Sequence, residues 1–465
     1  MLDILVKGGQ IVTEEGIYEG NIGICGDKIA VISSKTFPLS GVREIDATGM
    51  IVMPGFIDAH VHHRTQVPGL TTVDTPSDVS KIAAYGGITT FMFYIGARWA
   101  TKPDQITDAK KSVSTPEEFF TNVIEEEERS LYIDFGIHCM LFPNLDIIEQ
   151  IPRVAKMGIK SFKMVLGYHP SRGWALDDSM LMLILENVAS CSGLAMFHCE
   201  NGYIIGYLED KYVRNGNYNI NTFLEARNNL LEAETIYRTV TMSRITGCPM
   251  YVVHLSAKEG LENIINSQLS GYDVTAETCP QYMLFNEEHI KQQGNFLKMA
   301  PPIRTAIDNE AMWNGLKNGH ISVIASDHVS LGKQQKIEAN DFQSVPFGIP
   351  GIETIAPLVY SEGVEKGRLS LQQMAQVLST NPAKTFGLYP TKGTIQVGSD
   401  ADIVIIDPNI KWKISTSTLH SNTGFTPYEG WEIKGKPILS LLRGKELLKD
   451  GQIHTEPGFG KFLRR

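Results

Sequence analysis

Eight short apolar runs, separated by stretches of helical spacing, restrict this chain more than any other feature. They are Met50 to His62, Ile88 to Ile95, Tyr132 to Met140, Ile159 to Val165, Leu194 to Cys199, Met250 to Leu255, Asp273 to Cys279 and Ile321 to Asp327. Apolar runs of this kind read as buried strands. When they alternate with helical segments, such as Ser179 to Ser192 and Glu232 to Thr246, each helix carries the chain back and the strands lie parallel. Eight such units predict an α/β fold, a (β/α)8 TIM-like barrel whose site lies at the C-terminal ends of its strands. Residues Phe285 to Ala311 read as a long irregular excursion before the eighth strand, and an excursion of that length is usually functional.

The two ends of the chain have a different character. Ile4 to Val6, Gln10 to Thr13, Asn21 to Cys25 and Ile29 to Ile32 are short strands broken by turn residues such as Gly26-Asp27-Lys28. The C-terminal part repeats this, with Ala401 to Asp407 and Ile438 to Leu442 before Arg443-Gly444-Lys445. Hairpin chemistry at both ends predicts one small β-sandwich built from residues 1–52 and 386–465, around a barrel spanning 53–385. A length of 465 residues suits one large barrel with a smaller domain attached.

Composition excludes several classes. No apolar run approaches the roughly eighteen residues that span a bilayer, and the first residues lack the basic and apolar regions of a signal peptide, so the expected location is cytoplasmic, with no membrane partner. A net charge of -10 argues against a nucleic-acid partner, which needs clustered positive charge. The six cysteines, scattered without a CxxC pair, read as reduced thiols. Cys199 and Cys279 read as small buried hydrophobes, and Glu125 to Glu128 as a solvated helix face.

Chemistry gathers at the strand ends. His60 and His62 close the first strand two residues apart, so both imidazoles point the same way and can share an ion. His63 has the opposite parity and reads as structural. His198 ends the fifth strand, His254 the sixth and Asp327 the eighth. Two divalent ions side by side need a bridging anion, and the fourth strand offers Lys163. An ammonium has no lone pair to give, whereas a neutral amine that reacts with carbon dioxide becomes a carbamate with two oxygens.

Seven stretches carry a resemblance over nearly the whole chain: Pro54 to His62, Ser161-Phe162-Lys163, His198 to Gly202, Val253 to Ser256, Glu277 to Tyr282, Ser326-Asp327-His328 and Ser379 to Lys384. Thr426 to Gly430 adds to them. In these the chain resembles the cyclic amidohydrolases, closest to the dihydropyrimidinase and D-hydantoinase family. The resemblance implies a hydrolase that opens cyclic amides or imides, such as 5-substituted hydantoins and dihydropyrimidines, with two Zn2+ or other divalent ions bridged by N6-carboxylysine at Lys163. It implies that His60, His62 and Asp327 hold one ion and His198 and His254 the other, and that the enzyme is a homotetramer or homodimer. Asp327 would shuttle the proton, and Tyr168, five residues after the lysine, would donate to the developing oxyanion.

Departures from the family pattern concern the substrate. Arg64 is reminiscent of dihydroorotases, yet Phe93 to Arg98 lacks their accompanying asparagine. Ala300 stands where hydantoinases often have serine, Phe347 replaces an asparagine before Gly348, and Asn228-Asn229 replace prolines after Arg227. With Tyr168, Trp99 and Trp174, Phe347 is expected to line an apolar pocket for a ring substituent. Arg64, Ala300, Phe347 and Tyr168 are therefore the expected substrate contacts. A dihydroorotase or allantoinase is the alternative enzyme, and a non-catalytic scaffold of the same fold is the alternative of another class. Glu277 reads as a buried structural acid.

Overall fold

The computed structural model describes residues 1–64, 66–67, 70–97, 115–168, 175–339 and 341–465. Trp99, Trp174 and Arg98 lie outside the described residues. The chain begins with β1 (Leu2–Val12), β2 (Ile17–Cys25), β3 (Lys28–Ser34), β4 (Gly41–Asp46) and β5 (Ile51–Pro54). The barrel follows with β6 (Phe56–His62), a small hairpin of β7 (Gln66–Val67) and β8 (Leu70–Thr71), then β9 (Ile88–Gly96), β10 (Asp134–Met140), β11 (Ser161–Val165), β12 (Leu194–His198), β13 (Met250–Val252), β14 (Val274–Thr278), β15 (Val323–Ile324) and β16 (His328–Val329). It ends with β17 (Ile403–Lys413), β18 (Glu432–Leu442), β19 (Lys445–Lys449) and β20 (Gln452–Ile453).

All eight expected barrel strands are present and parallel, in the order β15-β14-β13-β12-β11-β10-β9-β6-β16. The eighth strand is split: β15 pairs with β14, and β16 pairs with β6. The linking residues, Ala325 to Asp327, thus span the seam that closes the barrel. Alternation along the strands separates two cores. Phe91, Phe93, Phe135, Phe162 and Phe197 face the surrounding helices, while Met92, Tyr94, Met196, Tyr251 and Val323 form the cluster of opposite parity that fills the barrel.

The first expected run, Met50 to His62, breaks at Gly55, where β5 joins the terminal sheet and β6 the barrel. A Cβ on Gly55 would sit 2.2 Å from Thr89 Oγ1 and 3.0 Å from Asp402 Cβ, so only glycine fits where the two units touch. The terminal strands do combine, as β20-β19-β18-β17-β5-β1-β2-β3 with β4 forking from β1. Ile4, Ile22 and Ile45 from the N-terminal part share a core with Ile403, Ile405 and Leu441 from the C-terminal part. Between the units lies a buried charge cluster. Lys392 Nζ is 2.6 Å from Asp134, 2.9 Å from Asp400 and 2.7 Å from Asp402, and Arg443 also pairs with Asp134.

Three expectations change. Residues Phe285 to Ala311 are not structureless: they hold a helix at Glu287–Gln293, a 3-10 turn at Gly294–Leu297 and the start of the helix Ala306–Lys317. Thr305 and Asp308 close a capping box on that last helix, a signal visible as Thr-x-x-Asp. The helix expected from Glu232 begins earlier, at Asn229, after the extended residue Asn228. The run Glu125 to Glu128 is not uniformly solvated, because Glu127 is fully buried against His63 Nε2 at 3.1 Å and Arg64 Nε at 2.6 Å. Among the described residues no helix is long and apolar enough to cross a membrane.

Candidate metal centre

Two groups of donor atoms meet where the strands end. His60 Nε2, His62 Nε2 and Asp327 Oδ1 lie 3.1 to 3.3 Å from one another. Donors around a tetrahedral zinc with bonds of about 2.0–2.1 Å are separated by about 3.3 Å, so these three atoms could hold an ion. His198 Nδ1 and His254 Nε2 form the second group at 3.0 Å, and the rings of His254 and His60 are 5.3 Å apart between centroids. The backbone is strained at two of these positions: His254 and Asp327 have φ of 38° and 51°, the left-handed region that side chains disfavour and that clusters at functional sites.

Lys163 is 3% exposed, and its Nζ has no hydrogen-bond partner among the described residues. Burial pulls its ammonium down to about 8 even though Glu277 and Asp327 favour the charge. A lysine held there is neutral in appreciable part near neutrality, the state that can combine with carbon dioxide. Burial likewise lowers His62, His198 and His254, keeping their lone pairs free for coordination. His60 behaves differently. Burial opposes its charge, but Glu277 and Asp327 push it up to about 9, so an ion arriving there displaces a proton. Burial also opposes the ionisation of Asp327, yet His60, His62 and His254 hold its carboxyl well below the usual range.

Three acids orient the histidines. Glu277, expected to be merely structural, accepts from His60 Nδ1 at 2.7 Å, from the His254 amide at 3.0 Å and from the Tyr251 hydroxyl at 2.8 Å. It thereby sets His60 with Nε2 facing Asp327. Glu200 does the same for His198, 2.7 Å from its Nε2. Asp58 accepts from the amides of His60 at 3.2 Å and Ser326 at 3.0 Å, which ties the first strand to the seam. Sequence reasoning gave Glu200 no role of its own, although an acid two residues beyond a strand-end histidine is a visible signal. Tyr94 was also passed over. Its ring lies 4.7 Å from His60 and 5.0 Å from His62, beneath Lys163 Nζ at 5.3 Å.

The expected substrate contacts divide. Tyr168 stacks on His198 at 6.1 Å and meets Phe347 at 6.0 Å, beside the second donor pair. Gly348 N donates to the Lys298 carbonyl at 3.1 Å, which brings the segment of Ala300 alongside that of Phe347. Arg64 is engaged elsewhere, by the ion pairs with Glu127 and, at 2.8 Å, Glu126; a buried carboxylate needs such a cation. The thiols beside the site are poor nucleophiles, since burial pushes Cys199 up to about 12 and Cys279 well above its usual value.

Residues 51–446 match the amidohydrolase family. The chain is 35% identical to a D-hydantoinase of Ralstonia pickettii, over 100% of this chain and 99% of the relative. It is 33% identical to an L-hydantoinase of Paenarthrobacter aurescens, over 100% and 98%. A dihydropyrimidinase structure from Brevibacillus agri superposes with a TM-score of 0.92 at 30% identity, covering 100% of this chain and 99% of that one.

Proposed function

The chain belongs to the amidohydrolase family, in its hydantoinase and dihydropyrimidinase branch, and from that premise we propose that it opens cyclic amides or imides at a pair of divalent ions bridged by carboxylated Lys163. The observation that carries this reading is the buried amine of Lys163, without a hydrogen-bond partner among the described residues, in the barrel mouth that holds the two donor groups. His60, His62 and Asp327 would hold one ion, His198 and His254 the other, and a carbamate on Lys163 both. Such ions, zinc or another divalent metal, would lower the pKa of a bound water toward 7 and polarise an amide carbonyl.

The protein's own groups do the rest. Asp327, ionised and within reach of both first-strand histidines, accepts the proton of the attacking water and returns it to the ring nitrogen as the C–N bond breaks. The Tyr168 phenol donates to the carbonyl oxygen as charge builds on it. Glu277 and Glu200 hold the imidazoles in the correct tautomer. The ring-opened product of a hydantoin is an N-carbamoyl amino acid.

Phe347 and Tyr168 favour an apolar ring substituent over the carboxylate of dihydroorotate, and the pairing of Arg64 with Glu126 and Glu127 weighs against an acid-gripping arginine. A homodimer or homotetramer is proposed on the family resemblance. Turnover of a phenyl-bearing hydantoin, dihydrouracil, allantoin and dihydroorotate by protein of measured metal content tests the proposal. Faster opening of the phenyl-bearing ring is expected; faster opening of dihydroorotate would overturn the substrate preference, and no opening of any ring by metal-loaded protein would overturn the activity.

A further inference from the structure

The structure assigns to Arg227 a positioning role, in which one guanidinium fixes both His198, through Glu200, and the main chain that carries Tyr168; this rests on the proposed metal centre. His198 turns Nδ1 toward His254 and Nε2 toward Glu200. An imidazole presents its Nδ1 lone pair to an ion when its proton is on Nε2, and the carboxylate at 2.7 Å selects that tautomer. Arg227 Nη1 lies 2.8 Å from the same Glu200 oxygen, so the carboxylate is held between guanidinium and imidazole. All three side chains are buried.

The other arm reaches the substrate side. Arg227 Nη2 donates to the Gly167 carbonyl at 3.1 Å, immediately before Tyr168. A Cβ on Gly167 would come within 2.3 Å of His198 Nε2, so the main chain passes directly against the ligand ring, and Tyr168 stacks on that ring with 18° between planes. The guanidinium is itself fixed. Its Cζ lies 5.2 Å from the Phe223 ring and 5.4 Å from Phe347, and its Nε is 3.5 Å from Glu209. A planar fork can serve two acceptors at fixed angles, and a lysine ammonium on its flexible stem reproduces the charge without the geometry.

Arg227→Met, Arg227→Lys and Glu200→Gln test this with readouts that a purely structural role leaves unchanged. Histidine nitrogen NMR of metal-free protein should show His198 as the Nε2–H tautomer in the wild type and a mixture in Arg227→Met and Glu200→Gln. On titration with a zinc chelator, one ion of the pair should leave these two variants at a concentration about 10- to 100-fold lower than in the wild type, with the other retained. Arg227→Lys should keep both ions but lose kcat with little change in KM, because the Gly167 arm is gone. An unchanged His198 tautomer with both ions released as in the wild type would overturn the assignment, whatever the melting temperatures. Should the wild type hold no metal pair, the metal centre itself fails, and the tautomer comparison still decides the role of Arg227.

Discussion

Phe347 is half-buried, with Phe223 at 5.7 Å and Tyr168 at 6.0 Å and the Lys298 ammonium 4.3 Å from its ring centroid. If its ring forms part of the substituent pocket, Phe347→Ala should lower kcat/KM for a phenyl-bearing hydantoin relative to dihydrouracil by about tenfold, the value of partly burying an aromatic side chain. An unchanged ratio removes Phe347 from the pocket. The titrating groups of the metal centre predict a pH profile for the metal-free protein. His60 is raised from 6.5 to about 9, so its contribution is complete below pH 6.5 and is lost as pH rises through 9. Lys163 is lowered from 10.5 to about 8, so the unfolded chain binds the extra proton between those values and stability recovers across that range. Each contribution is isolated by its own variant: in metal-free protein the contribution of His60, read as wild type against His60→Gln, should shrink between pH 6.5 and about 9, and the cost of Lys163, read against Lys163→Met, should shrink between about pH 8 and 10.5. Denaturant unfolding of the three proteins checks both; differences that do not change with pH would contradict the shifts.

At the scale of elements, Lys392 joins three carboxylates drawn from the barrel strand β10 and the approach to β17. Removing one partner from such a buried cluster leaves uncompensated charge, so Lys392→Met should destabilise the protein by about 3–5 kcal/mol, measured by denaturant unfolding with a restored metal complement. A loss below about 1 kcal/mol would mean that the cluster does not clamp the two units together. The strands of the barrel were legible because they are buried on both faces and read as continuous apolar runs. Their interruptions were less so. The break at Gly55 depends on contact with Thr89 and Asp402, and the split of the eighth strand depends on where β6 and β14 lie; neither is local in sequence.

Over the whole molecule, the same divide separates ligands from the groups that orient them. Parity and strand-end position picked out His60, His62, Lys163, His198, His254 and Asp327, because a barrel converts position along a strand into position at the mouth. Glu277 and Arg227 escaped a role because their partners come from other strands and loops: Tyr251 and His60 for one, Glu200 and Gly167 for the other. Arg64 looked available in the sequence and is engaged by acids on a helix more than sixty residues away. The proposed reaction converges on the chemical state of Lys163. A crystal structure of enzyme reconstituted with zinc and bicarbonate measures it most directly. The account predicts side-chain density lengthened beyond Nζ into a planar three-atom group that contacts two metal peaks; density ending at Nζ, with both metals fully occupied and held by other groups, would contradict it.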